Sequence, residues 1–427
     1  RVIALPLPAP TQVVAFAVRR TGAAAGVQIT ASHNPARDNG YKVYVDGGLQ
    51  IVSPTDREIE AAIAGAPPAD EIASQTVEPT DTSLLDAYVH RAAAMRRGHD
   101  PVRVALTAMH GVGGELGLRT LEAAGFDDVH VVASQFEPDP DFPTVAFPNP
   151  EEPGATDALL RTAERVGAGI AIALDPDADR CAVGIPTDTG WRMLSGDETG
   201  WLLGDFILSR LGQPEAAGAV VASSVVSSQL LAAIAADHGA RHVQTLTGFK
   251  WLARADDGIP GARLVYAYEE AIGHCVDPEA VRDKDGISAA VLACDLVSGL
   301  GARGSSVSAA LDELARRHGV HTTAAVSRAA ATPDEAAAMM ARLRDHPPRE
   351  LAGIPVTVTD LLQRTDAVIL AGGDDGASVR MVVRPSGTEP KVKCYTEVRL
   401  SPDPDLAGAR SRATALQSRL LAAARGW

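Results

Sequence analysis

Several α/β units closed by a differently built α+β unit are what this sequence predicts, on three observations. Strand-like apolar runs alternate with helical stretches from residue 102 to about 318, the pattern of helix-covered, mostly parallel sheets. The chain has 427 residues, room for about three domains at about 150 residues each. From about residue 321 the alternation gives way to a polar strand, one helix, three short strands and a terminal helix.

The elements follow in order. Residues 2–7 are apolar, so the chain opens mid-strand. Thr11 reads as the cap of a helix through about residue 20, ended by glycines at 22 and 26. Short strands come at 26–31 and 41–45, and a helix at 84–97 runs into Gly98, His99, Asp100 and Pro101, a boundary signal. A strand at 102–107, a glycine turn at 110–114, a helix to 124 and a strand at 129–133 open the next unit. Residues 137–154, rich in Pro and Asp, make a long loop before the buried strand 169–174 and a helix at 196–211. The third unit starts at 218 and holds helices near 283–300 and 306–318. The last has a helix at 333–344, strands at 356–358, 368–370 and 378–383, and a helix at 405–425. The expected domains are therefore 1–98, 99–205, 206–320 and 321–427.

Composition narrows the function. Lys plus Arg total 39 and Asp plus Glu 54, a net charge of −15. Such a chain repels phosphate on average and is a poor nucleic-acid or anionic-membrane binder. A phosphorylated substrate needs a local basic site. Aromatics at 4% argue against a base-stacking surface. No stretch of about 18 residues is apolar throughout, so no membrane span is expected. Cys181, Cys275, Cys294 and Cys394 form no CxxC pair and read as reduced thiols of a cytoplasmic protein.

Four motifs carry chemistry. In Thr-Ala-Ser-His-Asn-Pro at 30–35, Ser32 follows a strand on a proline-held loop. His33, Lys42 and Arg37 supply the proton acceptor and positive charge that phosphoryl transfer requires. A plain hydrophilic turn is equally open on these residues alone. In Asp-Pro-Asp-Ala-Asp-Arg at 175–180, three carboxylates at alternate positions follow an apolar strand. They repel one another, which favours a hard cation joining them over the bland alternative, a solvated acidic turn. The sixth and twelfth positions, Arg180 and Pro186, exclude an EF-hand. Few protein ligands suit Mg2+ shared with a phosphate oxygen.

The third motif joins Arg384, Ser386, Gly387 and Thr388 to Lys391 and Lys393 as a phosphate cradle, with a proline turn as the bland alternative. In the fourth, Tyr-Glu-Glu-Ala-Ile-Gly-His at 268–274, Glu269 and Glu270 should point apart, so at most one reaches a given sugar hydroxyl. A charged helix start explains this heptad equally well. Nearby, Lys284 and Arg282 in Arg-Asp-Lys-Asp-Gly at 282–286, and Lys250 beyond Gly248, add cations that can meet a phosphate.

Taken together, in this order along the whole chain, the four motifs resemble those of the α-D-phosphohexomutase superfamily, the phosphoglucomutase and phosphomannomutase enzymes. The resemblance implies a four-domain architecture around a central cleft, three related α/β domains with mixed sheets and a smaller α+β C-terminal domain. It implies Ser32 as the phosphoserine, with Asp175, Asp177 and Asp179 as Mg2+ ligands beside it and Ser32 joining them through its phosphate. Lys42 matches the family's acid/base lysine, and His33 and Arg180 its supporting groups. Glu269, with Glu270 and Lys284 nearby, falls where the family binds the sugar. Arg384, Ser386, Gly387 and Thr388 match the loop that grips the distal phosphate. The implied reaction moves a phosphoryl group between C1 and C6 of a hexose phosphate through a sugar bisphosphate, with a sugar 1,6-bisphosphate as activator and a monomer or dimer as the working form. A phosphopentomutase, or a non-catalytic phosphosugar-binding homologue, is the alternative.

Two departures from the family pattern stand out. The family usually begins with a further strand and helix, so the first domain is N-terminally incomplete as given. Many hexose-specific members also carry a serine two residues after the first sugar-loop glutamate, where this chain has Ala271. The Glu-Glu-Ala-Ile-Gly pattern resembles the phosphopentomutase branch.

Overall fold

The computed structural model describes residues 2–386 and 390–426. Among the described residues four main sheets follow one another along the chain, with a two-stranded hairpin of Glu350–Leu351 and Ile354–Pro355 in the last unit. The first is an antiparallel meander of Ala25–Ile29, Tyr41–Val45 and Leu49–Gln50, with the helix Thr11–Thr21 packed on it. Residues 2–7 form no strand, which corrects the expected mid-strand opening. Among the described residues their backbone contact is Ala4, whose carbonyl accepts from Thr80 N at 2.9 Å. Thr11 does not cap its helix either. Pro10 holds the cap position, and the Thr11 hydroxyl donates to Asp177 Oδ2 at 2.6 Å.

The second sheet is mixed. Val129–Val131, Val104–Thr107 and Ile170–Leu174 run parallel, and Cys181–Thr187 and Gly190–Met193 add an antiparallel hairpin. Ile170–Leu174 is buried on both faces, which is why its sequence is apolar without alternation. The third sheet has the same build. Arg241–Thr245, Ala219–Ser224 and Arg263–Glu269 are parallel, and Gly273–Cys275 returns antiparallel. The expected boundary after residue 205 falls inside the helix Gly196–Leu208, which packs on Leu230–Asp237 and on Arg263–Glu269 of the third unit.

The helix Gly286–Ala302 is apolar on nearly every side because it is packed on nearly every side, against helices and strands of all three units. One apolar core therefore runs from Ala9 to Leu314. The last unit has its own core, from Val320 to Ala424. Its antiparallel sheet has the order Val320–Ala329, Lys391–Leu400, Ala377–Pro385, Val368–Gly373, Thr357–Asp360. Pro333–Asp345 and Leu406–Gly426 pack on it. All four cysteines are buried, and none is in a disulfide. Among the described residues no single helix is long and apolar enough to cross a membrane.

Candidate active site

Two loops meet where the first and second sheets end. Ser32 lies just past Ala25–Ile29 with φ of +54°, a conformation that costs a non-glycine residue about 1–3 kcal/mol unless its surroundings hold it. Its amide donates to Thr30 Oγ1 at 2.8 Å, and its hydroxyl donates to Asp175 Oδ2 at 3.3 Å. His33 Nδ1 is 3.2 Å from the same hydroxyl. Burial first, then the charge of Arg180, lowers the His33 pKa to about 4, so its ring is neutral near pH 7. Arg37 is exposed.

The aspartate loop follows Ile170–Leu174, with Ala178 at φ of +55°. Asp175, Asp177 and Asp179 are almost fully buried, and one ligand atom from each lies within 4.8 Å of the others. Asp175 is pushed well above its ordinary range by burial and then by Asp177 and Asp179. Burial acts on Asp179 in the same sense, but Lys284, Lys42 and Arg180 outweigh it and hold the carboxyl below its ordinary range. Lys42 Nζ spans Asp177 Oδ2 at 2.7 Å and Asp179 Oδ2 at 2.5 Å, and Lys284 Nζ reaches Asp179 Oδ2 at 3.2 Å. Burial opposes the Lys42 charge, yet Asp179 and Asp177 raise its pKa. Asp177 Oδ1 and Asp179 Oδ1 are buried and have no hydrogen-bond partner among the described residues. Orphaned carboxylate oxygens converging from three residues suit a hard cation, so this triad can hold a metal ion.

The sugar-type loop is tied to the aspartate loop. Cys181 N donates to the Ile272 carbonyl at 3.0 Å, and Arg180 pairs with Gly273 as an antiparallel bridge. Two glycines permit the approach. A Cβ on Gly286 would sit 2.4 Å from the Arg180 carbonyl oxygen, and one on Gly196 would sit 1.9 Å from that of Glu270. Ile272 takes φ of +54°, unusual for a β-branched residue. Ser32, Ala178 and Ile272 thus carry this strain at three adjoining loops. As expected, the two glutamates diverge. Glu269 Oε1 accepts from Gly248 N at 2.7 Å, whereas Glu270 Oε2 accepts from Ser224 and Ser227 hydroxyls at 3.1 and 3.0 Å. Burial, then the Glu269 charge, pushes Glu270 up to about 7.

The C-terminal cations face this loop. Arg384 stands opposite Lys393 in the sheet, and its Nε is buried with no hydrogen-bond partner among the described residues. Burial first, then Lys391 and Arg384, lowers the Lys393 pKa, against the charges of Glu270 and Glu151. Ser386 N donates to the Lys391 carbonyl at 2.8 Å. Gly387 and Thr388 lie outside the described residues.

Some neighbours were invisible in the sequence. Glu151, in the long loop, stands 3.8 Å from Arg180 Nη1. Thr11 and Thr30 both donate to Asp177 Oδ2. Arg282 turns away from the site to pair with Asp256 at 2.7 Å. Asp283 accepts from Tyr44 OH at 2.6 Å and Gln50 Nε2 at 2.7 Å, which fastens the Lys42 hairpin to the third unit.

Asp197, 4% exposed, accepts from Ser228 N and Tyr268 OH, both at 2.9 Å. Burial raises its carboxyl from 3.8 to about 6, aided by the Glu397 charge and opposed by the Ser228 amide and the Thr323 and Tyr268 hydroxyls. Between about pH 4 and 6 the unfolded chain releases this proton and the folded chain keeps it, so stability falls as pH rises. The cost levels off above pH 6, at no more than about 3 kcal/mol. Asp197→Asn should therefore gain stability relative to the parent near pH 7.5, with the gain vanishing near pH 4. Denaturant unfolding at both pH values checks this, and an equal difference at the two would refute it.

Comparisons with known proteins agree with this geometry. Profiles described as phosphoglucomutase/phosphomannomutase α/β/α domains I, II and III match residues 1–69, 86–188 and 195–318, and the C-terminal domain profile matches 330–406. The probable phosphomannomutase of Haemophilus influenzae is 39% identical over 92% of this chain and 81% of its own length. Human phosphopentomutase is 34% identical over 92% and 71%. A phosphoglucomutase/phosphomannomutase family protein from Burkholderia thailandensis shares the fold, with a TM-score of 0.70 and 23% identity over 98% of this chain and 82% of that one. Fold and relatives together define a phosphosugar mutase, an isomerase that acts by phosphoryl transfer. The chain belongs to the phosphoglucomutase/phosphomannomutase family.

Proposed function

We propose that the protein interconverts hexose 1-phosphate and hexose 6-phosphate through a phosphoenzyme on Ser32. The observation that carries this reading is the single constellation of Ser32, Lys42, Lys284, Arg180 and three buried aspartates. In the first half-reaction the free substrate hydroxyl attacks phospho-Ser32. The new P–O bond forms as the bond to Ser32 Oγ breaks, and the hydroxyl proton ends on Ser32, with Lys42 as its positioned carrier. The resulting sugar bisphosphate turns over in the cleft, and Ser32 takes the other phosphoryl group by the reverse step. Bound by Asp175, Asp177 and Asp179 beside Ser32, Mg2+ supplies positive charge that offsets the charge of the transferring group. Arg384, Ser386, Gly387, Thr388 and Lys393 hold the phosphate that is not reacting, and Glu269 reads sugar hydroxyls. A sugar 1,6-bisphosphate restores phospho-Ser32 when it is lost.

We assign the four units to 1–98, 99–195, 196–320 and 321–427, which puts the whole helix Gly196–Leu208 in the third. Four buried cysteines, none in a disulfide, favour a reducing compartment, the cytoplasm. The substrate is a small phosphosugar, and a monomer or dimer suffices. A coupled assay across glucose, mannose, ribose and glucosamine phosphates tests the reading. Fastest turnover on a hexose phosphate supports it, and no turnover on any overturns it.

A second reading, phosphopentomutase, is favoured by Ala271, which has no hydroxyl to offer the sugar. Ala271→Ser should raise kcat/KM for hexose relative to pentose phosphates by roughly one hydrogen bond, 0.5–1.5 kcal/mol, or a few-fold to about tenfold. An unchanged ratio would show that this position does not set sugar choice.

A further inference from the structure

The last unit meets the third in two places: the helix Leu406–Gly426 and the strand Val320–Ala329 lie against Val307–His318, with Arg410 paired to Asp312 at 2.6 Å, and one small face of its sheet makes the other contact. In the pairing of Ala377–Pro385 with Lys391–Leu400, Arg384 stands opposite Lys393, Val382 opposite Tyr395 and Arg380 opposite Glu397. Alternation puts all six on one face, with Arg384 about 13 Å along the strand from Arg380. One end of this face carries the phosphate cations. The other end is the seat. Glu397, 5% exposed, accepts from Ser228 Oγ at 2.6 Å, Gln229 N at 3.0 Å and His321 Nδ1 at 2.8 Å. Arg380 donates to the Val225 carbonyl, and Val382 packs on Val225 and Val226.

The contact continues inward. Ser228 N donates to Asp197, which also accepts from Tyr268 OH, and Tyr268 is the residue before Glu269. A run of buried hydrogen bonds, Glu397 to Ser228 to Asp197 to Tyr268, therefore joins the strand bearing Lys393 to the strand that ends in the sugar loop. The last unit otherwise keeps a separate core, which Ala315 of the helix Val307–His318 touches.

We propose that Glu397 is a positioning residue whose seat on Ser228 fixes the span between the sugar loop and the phosphate cations, and so sets which ring size of aldose phosphate the protein prefers. The inference rests on the mutase reading above. Hexopyranose and pentofuranose phosphates differ by one ring carbon, which changes how far the ring hydroxyls stand from the distal phosphate. A cleft of fixed span discriminates such a pair by roughly tenfold or more, and a loose one does not.

The test compares kcat/KM for ribose 1-phosphate and glucose 1-phosphate in the parent, Glu397→Ala, Glu397→Gln and Ser228→Ala. Glu397→Ala and Ser228→Ala should each move the ratio toward one by about threefold to tenfold, the worth of a buried hydrogen bond, mainly through KM. Glu397→Gln keeps the acceptor for Ser228 and should hold the parent's ratio. Ser228→Ala leaves the last unit's core untouched, which guards against misfolding of the Glu397 variants. Efficiencies that fall together at an unchanged ratio overturn the inference and leave the mutase reading intact. A parent that turns over neither sugar overturns both.

Discussion

Ser32→Ala should reduce turnover by at least about 10^4-fold and leave the fold in place. The scale is that of removing the nucleophile from other covalent catalysts. Ser32 is half-buried and its hydroxyl reaches Asp175 at 3.3 Å and His33 Nδ1 at 3.2 Å, so the change removes at most two weak hydrogen bonds, about 1 kcal/mol each. Alanine meets the same left-handed backbone cost as serine at φ of +54°. The melting temperature should therefore move by only a few degrees. Steady-state turnover and a melting curve on the same preparation check both halves. Near-parental turnover would refute the phosphoenzyme route.

Asp177→Asn should weaken Mg2+ binding by two orders of magnitude or more. Losses in the shell around metal ligands already cost about 10–100-fold, and here a carboxylate that faces the ion is neutralised. Its Oδ2 accepts from Thr11, Thr30 and Lys42. Its Oδ1 has no partner among the described residues, which leaves that oxygen for the ion. An asparagine cannot serve both roles with equal strength, because its nitrogen only donates. Titration calorimetry with Mg2+ checks the affinity. Unchanged Mg2+ dependence would remove the triad as the metal site. Phosphate capture at the Arg384 end should change far less, since it belongs to a unit with its own core.

Local patterns were legible where they were apolar and continuous. Ile170–Leu174 reads as a buried strand because both faces are covered, and Gly286–Ala302 reads as a helix at nearly its true bounds. Lys391–Leu400 was missed. One of its faces carries Lys391, Lys393, Tyr395 and Glu397, polar where a half-buried strand is usually apolar, and this masks the strand signal. Thr11 looks like a cap in the sequence because caps are local, whereas its actual partner, Asp177, is 166 residues away. Within the site, Ser32 and the three aspartates could be picked out because each motif is contiguous. Glu151, Asp283 and Glu397 could not, because each takes its meaning from a distant partner.

The most direct test is the phosphoryl group itself. Protein incubated with glucose 1,6-bisphosphate and Mg2+, then digested, should yield the peptide containing Ser32 heavier by one phosphoryl group. A chase with a hexose 1-phosphate should return that group to the sugar as the bisphosphate. A peptide that stays unmodified in a turning-over enzyme, or a label that the chase cannot remove, would contradict transfer through Ser32.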